Sequence, residues 1–553
     1  MMARGCLPRA TGPTMRPKRG IMRAEYRVAV TAALVVAADL LGSTAWAQRP
    51  GNLDGACAAA AMLRLPQTRI TLAQAIHPQP DYMVPETAHA PPGPFGGPVR
   101  VTRAFCRVAG IVAPAIRFEV WLPLQGWNGR FEGLGLGAFS GAVPYAQMAQ
   151  ALAKGYAVGG TDTGHESGFM DARWAVTPQG KLATGIVNDW AHRGIHEMSQ
   201  KSQAIVRAVY GTPARYRYFV GCSSGGHQAL TEAQRYPNDY DGIVAGAPAN
   251  YWTHLMAGQL WYGLATRVQP ATNLEMPIDK LGLIHQAALR ACDARDGVRD
   301  GLIENPLGCD FDPRTLACRG APGADCLSAE QVAAVEKIYG YAHDSHGHRI
   351  FPGLAPGSEL GWKAMSAVQV AFAQTFYREL VFQDPNWNYT HMHFGQDVAY
   401  ADAKVGSITN SINPDLTPFR AHGGKLLQYA GWADPLISPY NSINYYNSVL
   451  TRLQAERTRA AALLDLQRFY RLFMVPGMGH CRGGGTDTFD ALGALQDWVE
   501  QGKAPDRIEA SQLDAGRVLR TRPLCPYPRV ARYQGQGSTD AAGSFACVVP
   551  DRG

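Results

Sequence analysis

Charged residues are scarce in this chain, at 18% of 553, and no heptad seam, tandem repeat or long low-complexity tract occurs. Those absences exclude a coiled coil, a solenoid and an extended disordered chain. CxxC pairs are missing, so the eleven cysteines do not read as zinc ligands. Beyond the first 47 residues there is no basic run with interleaved aromatics, which excludes nucleic acid as an expected partner. What the chain has instead is 46% hydrophobic residues, 60 glycines and 37 prolines. This composition describes a loop-rich globular protein. The length exceeds one ordinary core, so one large domain with an insertion, or two domains, is expected.

The N-terminus is expected to be a secretory signal peptide. Basic residues from Arg4 to Arg27 precede an apolar stretch, Val28 to Leu41, and Ala45 and Ala47 in "STAWAQ" fit a small-x-small cleavage site after Ala47. A membrane anchor needs about 20 apolar residues, and this stretch is shorter and interrupted by Asp39. The basic part is long for a leader, which leaves Met15 or Met22 as alternative starts. Residues 1–47 carry seven Lys/Arg and two Asp/Glu, so removing them takes the formal charge from +7 to +2. Cys6 goes with them and leaves an even ten cysteines, for which five disulfides in an exported protein, secreted or periplasmic, is the simplest reading.

Along the remaining chain, "IVAPAIRFEVWLPL" (111–124) alternates as strands do and leads through "GWNGRFEGLGLGAFSG", a glycine-dense loop, to the short strand of "GYAVGGTDTG". A helix is expected over 186–210, ending at Gly211. "YRYFV" (216–220) is a strand, "GHQALTEAQRY" a helix and "DGIVAGAP" a buried strand. Such alternation implies an α/β fold on a mainly parallel sheet. Residues 251–415 differ: four cysteines, many aromatics and turns such as "FQDPNWNY", with little strand signal. Strands return with "GGKLLQYAG" and "FYRLFMVPG", followed by the helix "FDALGALQDWVEQG". The expected organisation is a sheet domain, 48–250 and 416–553, interrupted by a lid at 251–415.

Gly221-Cys222-Ser223-Ser224-Gly225 satisfies G-x-S-x-G between a strand and a helix, the context of a nucleophile elbow, in which glycines let a serine occupy a sharp strained turn. Ser223 is the expected nucleophile; taking Ser224 would put Cys222 where glycine is needed. A glycine-rich turn with incidental serines is the plain alternative. The α/β-hydrolase order of acid then base after the serine is met by Asp434, just beyond one strand, and His480, just beyond the next. Cys222 precedes Ser223 and Cys481 follows His480, so a disulfide between them would tie base to nucleophile. The oxyanion donors are expected to be the N–H of Ser224 and, from the glycine-dense loop, that of Gly137. "GLGLG" is a poor nucleotide loop, because the helix and later acid are not evident. In "CDARDGVRDGLI", Asp293, Asp296 and Asp300 suit either a hard cation or an acidic surface turn, and Arg295 and Gly297 exclude an EF-hand.

Taken with "WNGRF", "TDTGHESG", "GCSSGG", "YDGIVAGAPA", "DPNW", "VPGMGHC" and "RPLCPYP", these stretches resemble the tannase and feruloyl esterase family of α/β-hydrolases over nearly all of residues 48–553. The resemblance implies a triad of Ser223, Asp434 and His480. It implies structural Ca²⁺ held by Asp293, Asp296 and Asp300 with the carbonyls of Val298 and Leu302. It also implies pairing of Cys222 with Cys481, Cys57 with Cys106, Cys292 with Cys309, Cys318 with Cys326, and Cys525 with Cys547. One departure concerns the loop after "WNGRF", where the family has consecutive glycines and this chain has Leu134 and Leu136.

The expected activity is hydrolysis of a small-molecule aromatic-acid ester, hydroxycinnamate esters first, with gallate esters and terephthalate monoesters as alternatives. "AFAQTFYRELVF" does not reproduce the Arg and Ser with which the terephthalate enzyme of the family holds a carboxylate. A peptidase on the same scaffold, and an inactive calcium-stapled binding protein, are the competing readings.

Overall fold

Nine strands build one sheet: β1 (Thr68–Ile76), β2 (Phe105–Val112), β3 (Ile116–Pro123), β4 (Arg130–Leu134), β5 (Ala157–Thr161), β6 (Tyr216–Cys222), β7 (Gly242–Gly246), β8 (Lys425–Gly431) and β9 (Tyr470–Val475). Their spatial order is β1-β2-β3-β5-β4-β6-β7-β8-β9. β1, β2, β3 and β5 pair antiparallel, and from β5 to β9 every pairing is parallel. The computed structural model describes residues 52–79, 82–84, 98–265, 280–321, 323–364, 368–455 and 457–550. The leader expected at 1–47 lies outside the described residues.

The parallel strands β5, β7 and β9 are buried at every position, as a sheet covered on both faces requires. Neighbouring residues on β6 feed opposite layers: Phe219 packs with Val108, Ile205 and Leu230, and Tyr218 with Trp121, Met148 and Trp498. Helices α2 (Gly194–Tyr210) and α3 (Ser224–Arg235) supply the first layer, and α1 (Tyr145–Ala153) and α5 (Ala491–Gln501) the second. α2 stops at Gly211, whose φ of 75° only glycine adopts without strain, as expected. Its expected start at 186 moves back two residues: a short helix, Thr184–Asn188, and a wider helical turn, Asp189–Arg193, run into α2 without a break.

Two other sequence readings change. The strand expected across 111–124 is a hairpin, because Pro114 has no N–H for a ladder, and Val112 instead faces Ile116 across the turn. The C-terminal ribbons β10 (Ile508–Asp514) with β11 (Arg517–Leu524), and β12 (Val530–Tyr533) with β13 (Phe545–Val548), were not anticipated. The signal for the first of them was the turn at Ala515-Gly516, where φ is 47° and 83°.

The long connection between β7 and β8 is mostly helical, beginning with α4 (Trp252–Ala265), and adds one small ribbon, Ala342–His343 with Arg349–Phe351. One part of it packs on itself, around Tyr262, Ile284, Val335 and Trp362, and another part packs on the sheet domain. The ring of its Phe372 lies tilted 4.3 Å from that of Phe139, and its Trp252 lies 4.9 Å from Trp190, both partners belonging to the sheet domain. All five cysteine pairs form as the resemblance implies: Cys57–Cys106, Cys222–Cys481, Cys292–Cys309, Cys318–Cys326 and Cys525–Cys547. No helix among the described residues is long and apolar enough to cross a membrane.

Close backbone packing holds α3 to the sheet. A Cβ on Gly226 would sit 2.2 Å from the Gly246 carbonyl oxygen, which cannot yield without moving β7. Gly226→Ala is therefore expected to destabilise the protein by about 2 kcal/mol or more. Gly282→Ala, on a helix position where an added Cβ meets nothing within 4 Å, is expected to stabilise it by up to about 1 kcal/mol. Paired denaturant titrations check the opposite signs.

Candidate active site

Ser223 sits between the last residue of β6 and the first of α3. Its φ of 66° and ψ of −120° are strained for a side-chain-bearing residue, the geometry of a turn that lifts a hydroxyl off the sheet. Three backbone hydrogen bonds hold the turn: Ser223 N–H donates to Gly246 O at 3.0 Å, and Ser223 O accepts from His227 and Ala249, each at 3.0 Å. Gly221 is required beside it, because a Cβ there would lie 2.3 Å from the carbonyl oxygen of Gly225.

Asp434 and His480 come from the loops after β8 and β9. Asp434 is fully buried. Its Oδ1 accepts from the N–H groups of Leu436 at 2.8 Å and Ile437 at 3.0 Å, which leaves Oδ2 aimed at His480 Nδ1, 2.8 Å away. The other ring nitrogen, Nε2, is 2.9 Å from Ser223 Oγ. The Cys222–Cys481 bridge, with Cα atoms 6.1 Å apart, joins the residues flanking the two ends of that last contact. Residues 257 apart in sequence thus meet through one hydrogen bond and one covalent tie.

The glycine-dense loop crosses the N-terminus of α3. Gly135 approaches Gly225 so closely that a Cβ would lie 2.7 Å from its Cα. The N–H groups of Gly135 and Leu136 are engaged by Val220 O and Gln228 Oε1, and that of Phe139 by Phe169 O. Gly137 and Ala138 remain as backbone donors on this stretch, beside Ser224 at the start of α3. Leu134 and Leu136 are buried and stand on the cavity wall with Gly135 and Gly137.

Three residues that brace this loop escaped the sequence reading. Gln228 holds Leu136 N–H at 2.9 Å, and His165 Nε2 and Ser167 Oγ lie 2.9 Å and 2.8 Å from the carbonyl oxygen of Phe139. Burial pushes His165 down to about 4, so it stays a neutral donor. Their signal was present in "TDTGHESG" and "GGHQ", but partners 26 to 92 residues away in sequence cannot be read from a motif.

Ser223, His480, Ser224 and Gly137 open on a cavity of about 770 Å³. The insertion contributes Trp252, Leu255, Met256, Val368, Gln369 and Phe372 to its wall, and Phe169 and Met170 face them. The wall is apolar and aromatic on the insertion's side, with Glu132, Gln150, Lys154 and Arg482 among its polar groups, the character of a site for a small organic ligand.

The acidic loop after Cys292 turns at Gly297 and Gly301, with φ of 97° and 81°. Asp293 accepts from the N–H groups of Asp300 and Gly301, each at 3.1 Å, and Asp300 pairs with Arg522 and with Arg520 at 3.2 Å. Burial raises Asp293, and burial followed by the charges of Asp300 and Asp293 pushes Asp296 up to about 6. The donors are all oxygen, and no cation is paired with Asp293 or Asp296 among the described residues, which fits a hard ion such as calcium. Among those residues, the trio of side-chain ligand atoms gathered within 4.8 Å lies elsewhere, at His196, Glu232 and Asp239. In the acidic loop, backbone carbonyls would have to complete the shell. Leu302 of this loop packs where a Cβ on Gly477 would lie, 2.5 Å from its Cδ2, and so touches the segment that leads to His480.

Residues 99–548 match the family model described as tannase and feruloyl esterase. An uncharacterized esterase of Xanthomonas campestris is 36% identical over 91% of this chain and 92% of its own length. The mono(2-hydroxyethyl) terephthalate hydrolase of Piscinibacter sakaiensis is 33% identical over 80% of this chain and 85% of its own. The crystal structure of feruloyl esterase B from Aspergillus oryzae superposes with a TM-score of 0.80 at 30% identity, covering 90% of this chain and all of that one. The fold, the extent of these matches and the family model agree: the chain belongs to the tannase and feruloyl esterase family of carboxylic ester hydrolases.

Proposed function

We propose that the chain is an exported serine esterase that cleaves carboxylic esters of aromatic acids, hydroxycinnamate esters of the feruloyl and chlorogenate type first, through an acyl-Ser223 intermediate. The observation that carries this reading is the pair of hydrogen bonds on His480, to Ser223 and to buried Asp434, at the mouth of an aromatic-walled cavity. Five disulfides and the leader-like N-terminus support export.

Ser223 Oγ attacks the ester carbonyl carbon as its proton passes to His480 Nε2. Asp434, itself held by two backbone N–H groups, keeps the imidazole in the tautomer that accepts this proton and stabilises the imidazolium. The oxyanion takes hydrogen bonds from Ser224 N–H and from Gly137 on the braced loop, helped by the positive end of α3. Collapse breaks the bond to the alcohol oxygen, which takes the proton from His480. Water then attacks the acyl carbon, gives a proton to His480, and the acid leaves with Ser223 restored.

The cavity wall selects among acids. The polar side chain that the insertion contributes is Gln369, and Arg378 is absent from the wall. The insertion's part of this surface suits a neutral phenolic ring better than the second carboxylate of a terephthalate monoester, because the cations on the wall, Lys154 and Arg482, both come from the sheet domain. A gallate ester, with three hydroxyls to satisfy, is the second reading.

Purified protein is expected to turn over methyl ferulate or chlorogenate well above methyl gallate, a terephthalate monoester and a plain aryl ester. Ser223→Ala should lower kcat by about 10⁴-fold or more and abolish labelling by a fluorophosphonate probe. Labelling that persists in the variant removes Ser223 from its role, and activity on the plain ester alone removes the substrate assignment. Gln228→Leu should reduce kcat about tenfold with little change in KM, since it frees the donor loop without touching the acid pocket. A rise in KM at constant kcat would contradict that.

The same reading places structural Ca²⁺ on Asp293, Asp296 and Asp300 with the carbonyls of Val298 and Leu302. Chelation is then expected to lower the Tm, and added Ca²⁺ to restore it. Metal content and melting that both ignore the chelator would dismiss the ion.

A further inference from the structure

His196 on α2, Glu232 on α3 and Asp239 in the turn before β7 each bring one ligand atom within 4.8 Å of the other two, outside the cavity wall. Glu232 is 0% exposed, no N–H or hydroxyl donates to its carboxylate oxygens, and its carboxyl lies against that of Asp239. Burial first, and then the charge of Asp239, holds this carboxyl well above the usual range. Two carboxylates in the interior beside one imidazole require either a shared proton or a cation. The neighbouring arginines are otherwise committed, Arg217 to Asp241 and Arg235 to the carbonyl of Ser407.

The surroundings fix the trio as ligands are fixed. Asp239 Oδ2 lies 2.7 Å from His196 Nδ1, while its Oδ1 accepts from Gln200 Nε2 at 2.7 Å. The ring of Tyr236 stacks on His196 at 3.9 Å with the planes 11° apart. Such outer contacts orient a ligand ahead of the ion. The His196 side chain is 29% exposed, which gives an ion a way in.

We propose that His196, Glu232 and Asp239 form a binding site for a divalent cation of the zinc or manganese class, with water completing its shell. One imidazole nitrogen and two carboxylate oxygens make a borderline donor set, unlike the all-oxygen set of the acidic loop. The ion takes the place of the protons that otherwise relieve the carboxylates, so its binding releases protons. It pins α2, α3 and the entry to β7 together, at the end of α3 opposite Ser224.

The test uses the full chain, stripped of metal, with Co²⁺ as a spectroscopic probe and Zn²⁺ as competitor. One equivalent of Co²⁺ should give visible d–d absorption that Zn²⁺ displaces. Glu232→Gln and His196→Asn should each weaken binding at least tenfold, and Asp293→Asn should leave it unchanged. Circular dichroism and Ser223-dependent ester hydrolysis report that the variants fold, and His196→Asn, at the partly exposed position, serves if Glu232→Gln does not. No Co²⁺ signal in the folded wild type, binding that survives both variants, or binding lost in Asp293→Asn overturns the site and leaves a carboxyl pair that shares a proton.

Discussion

Backbone packed against backbone at the Ser223 turn is the constraint on which the rest of the structure depends. Gly135, Gly221 and Gly226 have no room for a Cβ against the backbone of Gly225 and Gly246, so β4, β6, β7 and α3 come closer than side chains would permit. That approach sets the strained φ of Ser223 and brings the glycine-dense loop over the start of α3. The strain is held by hydrogen bonds to β7 and to Ala249, and the hydroxyl stands clear of the sheet as a result. Every candidate donor and proton acceptor is then arranged relative to one fixed oxygen.

The later half of the sheet brings the base to that oxygen. β8 and β9 extend the parallel run, and loops after each deliver Asp434 and His480, while the Cys222–Cys481 bridge limits how far His480 can drift. A crosslink closing a loop of this length removes chain entropy from the unfolded state as well. The insertion adds a roof whose aromatic rings are continuous with those of Phe139 and Trp190, so this side of the cavity rests on an apolar cluster shared by both parts of the chain. The acidic loop reaches the same region from the other side, where Leu302 fills the space beside Gly477.

Much of this was legible because the chemistry imposes local patterns. An elbow serine needs glycines at fixed offsets, and an acid and a base that work from strand ends must follow strands, so Ser223, Asp434 and His480 stood out in order. Gln228, His165 and Ser167 did not, since a brace is defined by what it touches across the fold. The same holds for His196, Glu232 and Asp239, which lie on two helices and a turn and share no spacing a motif could record. The hairpin at Pro114 was misread because both of its strands alternate in the same way, and the C-terminal ribbons were passed over for their polar composition.

By itself the sequence determined the α/β class and the candidate triad of Ser223, Asp434 and His480, because these depend on residue type, order and local turn chemistry, while the cysteine pairing followed from the family resemblance. Only the tertiary structure decided which loop N–H groups are left to donate once Gly135, Leu136 and Phe139 are engaged, which insertion side chains wall the cavity, and that Asp300 is shared with two arginines from β11. The physical reason is that these features are contacts between segments far apart along the chain, fixed by how helices and loops pack on the sheet and not by what any one segment prefers.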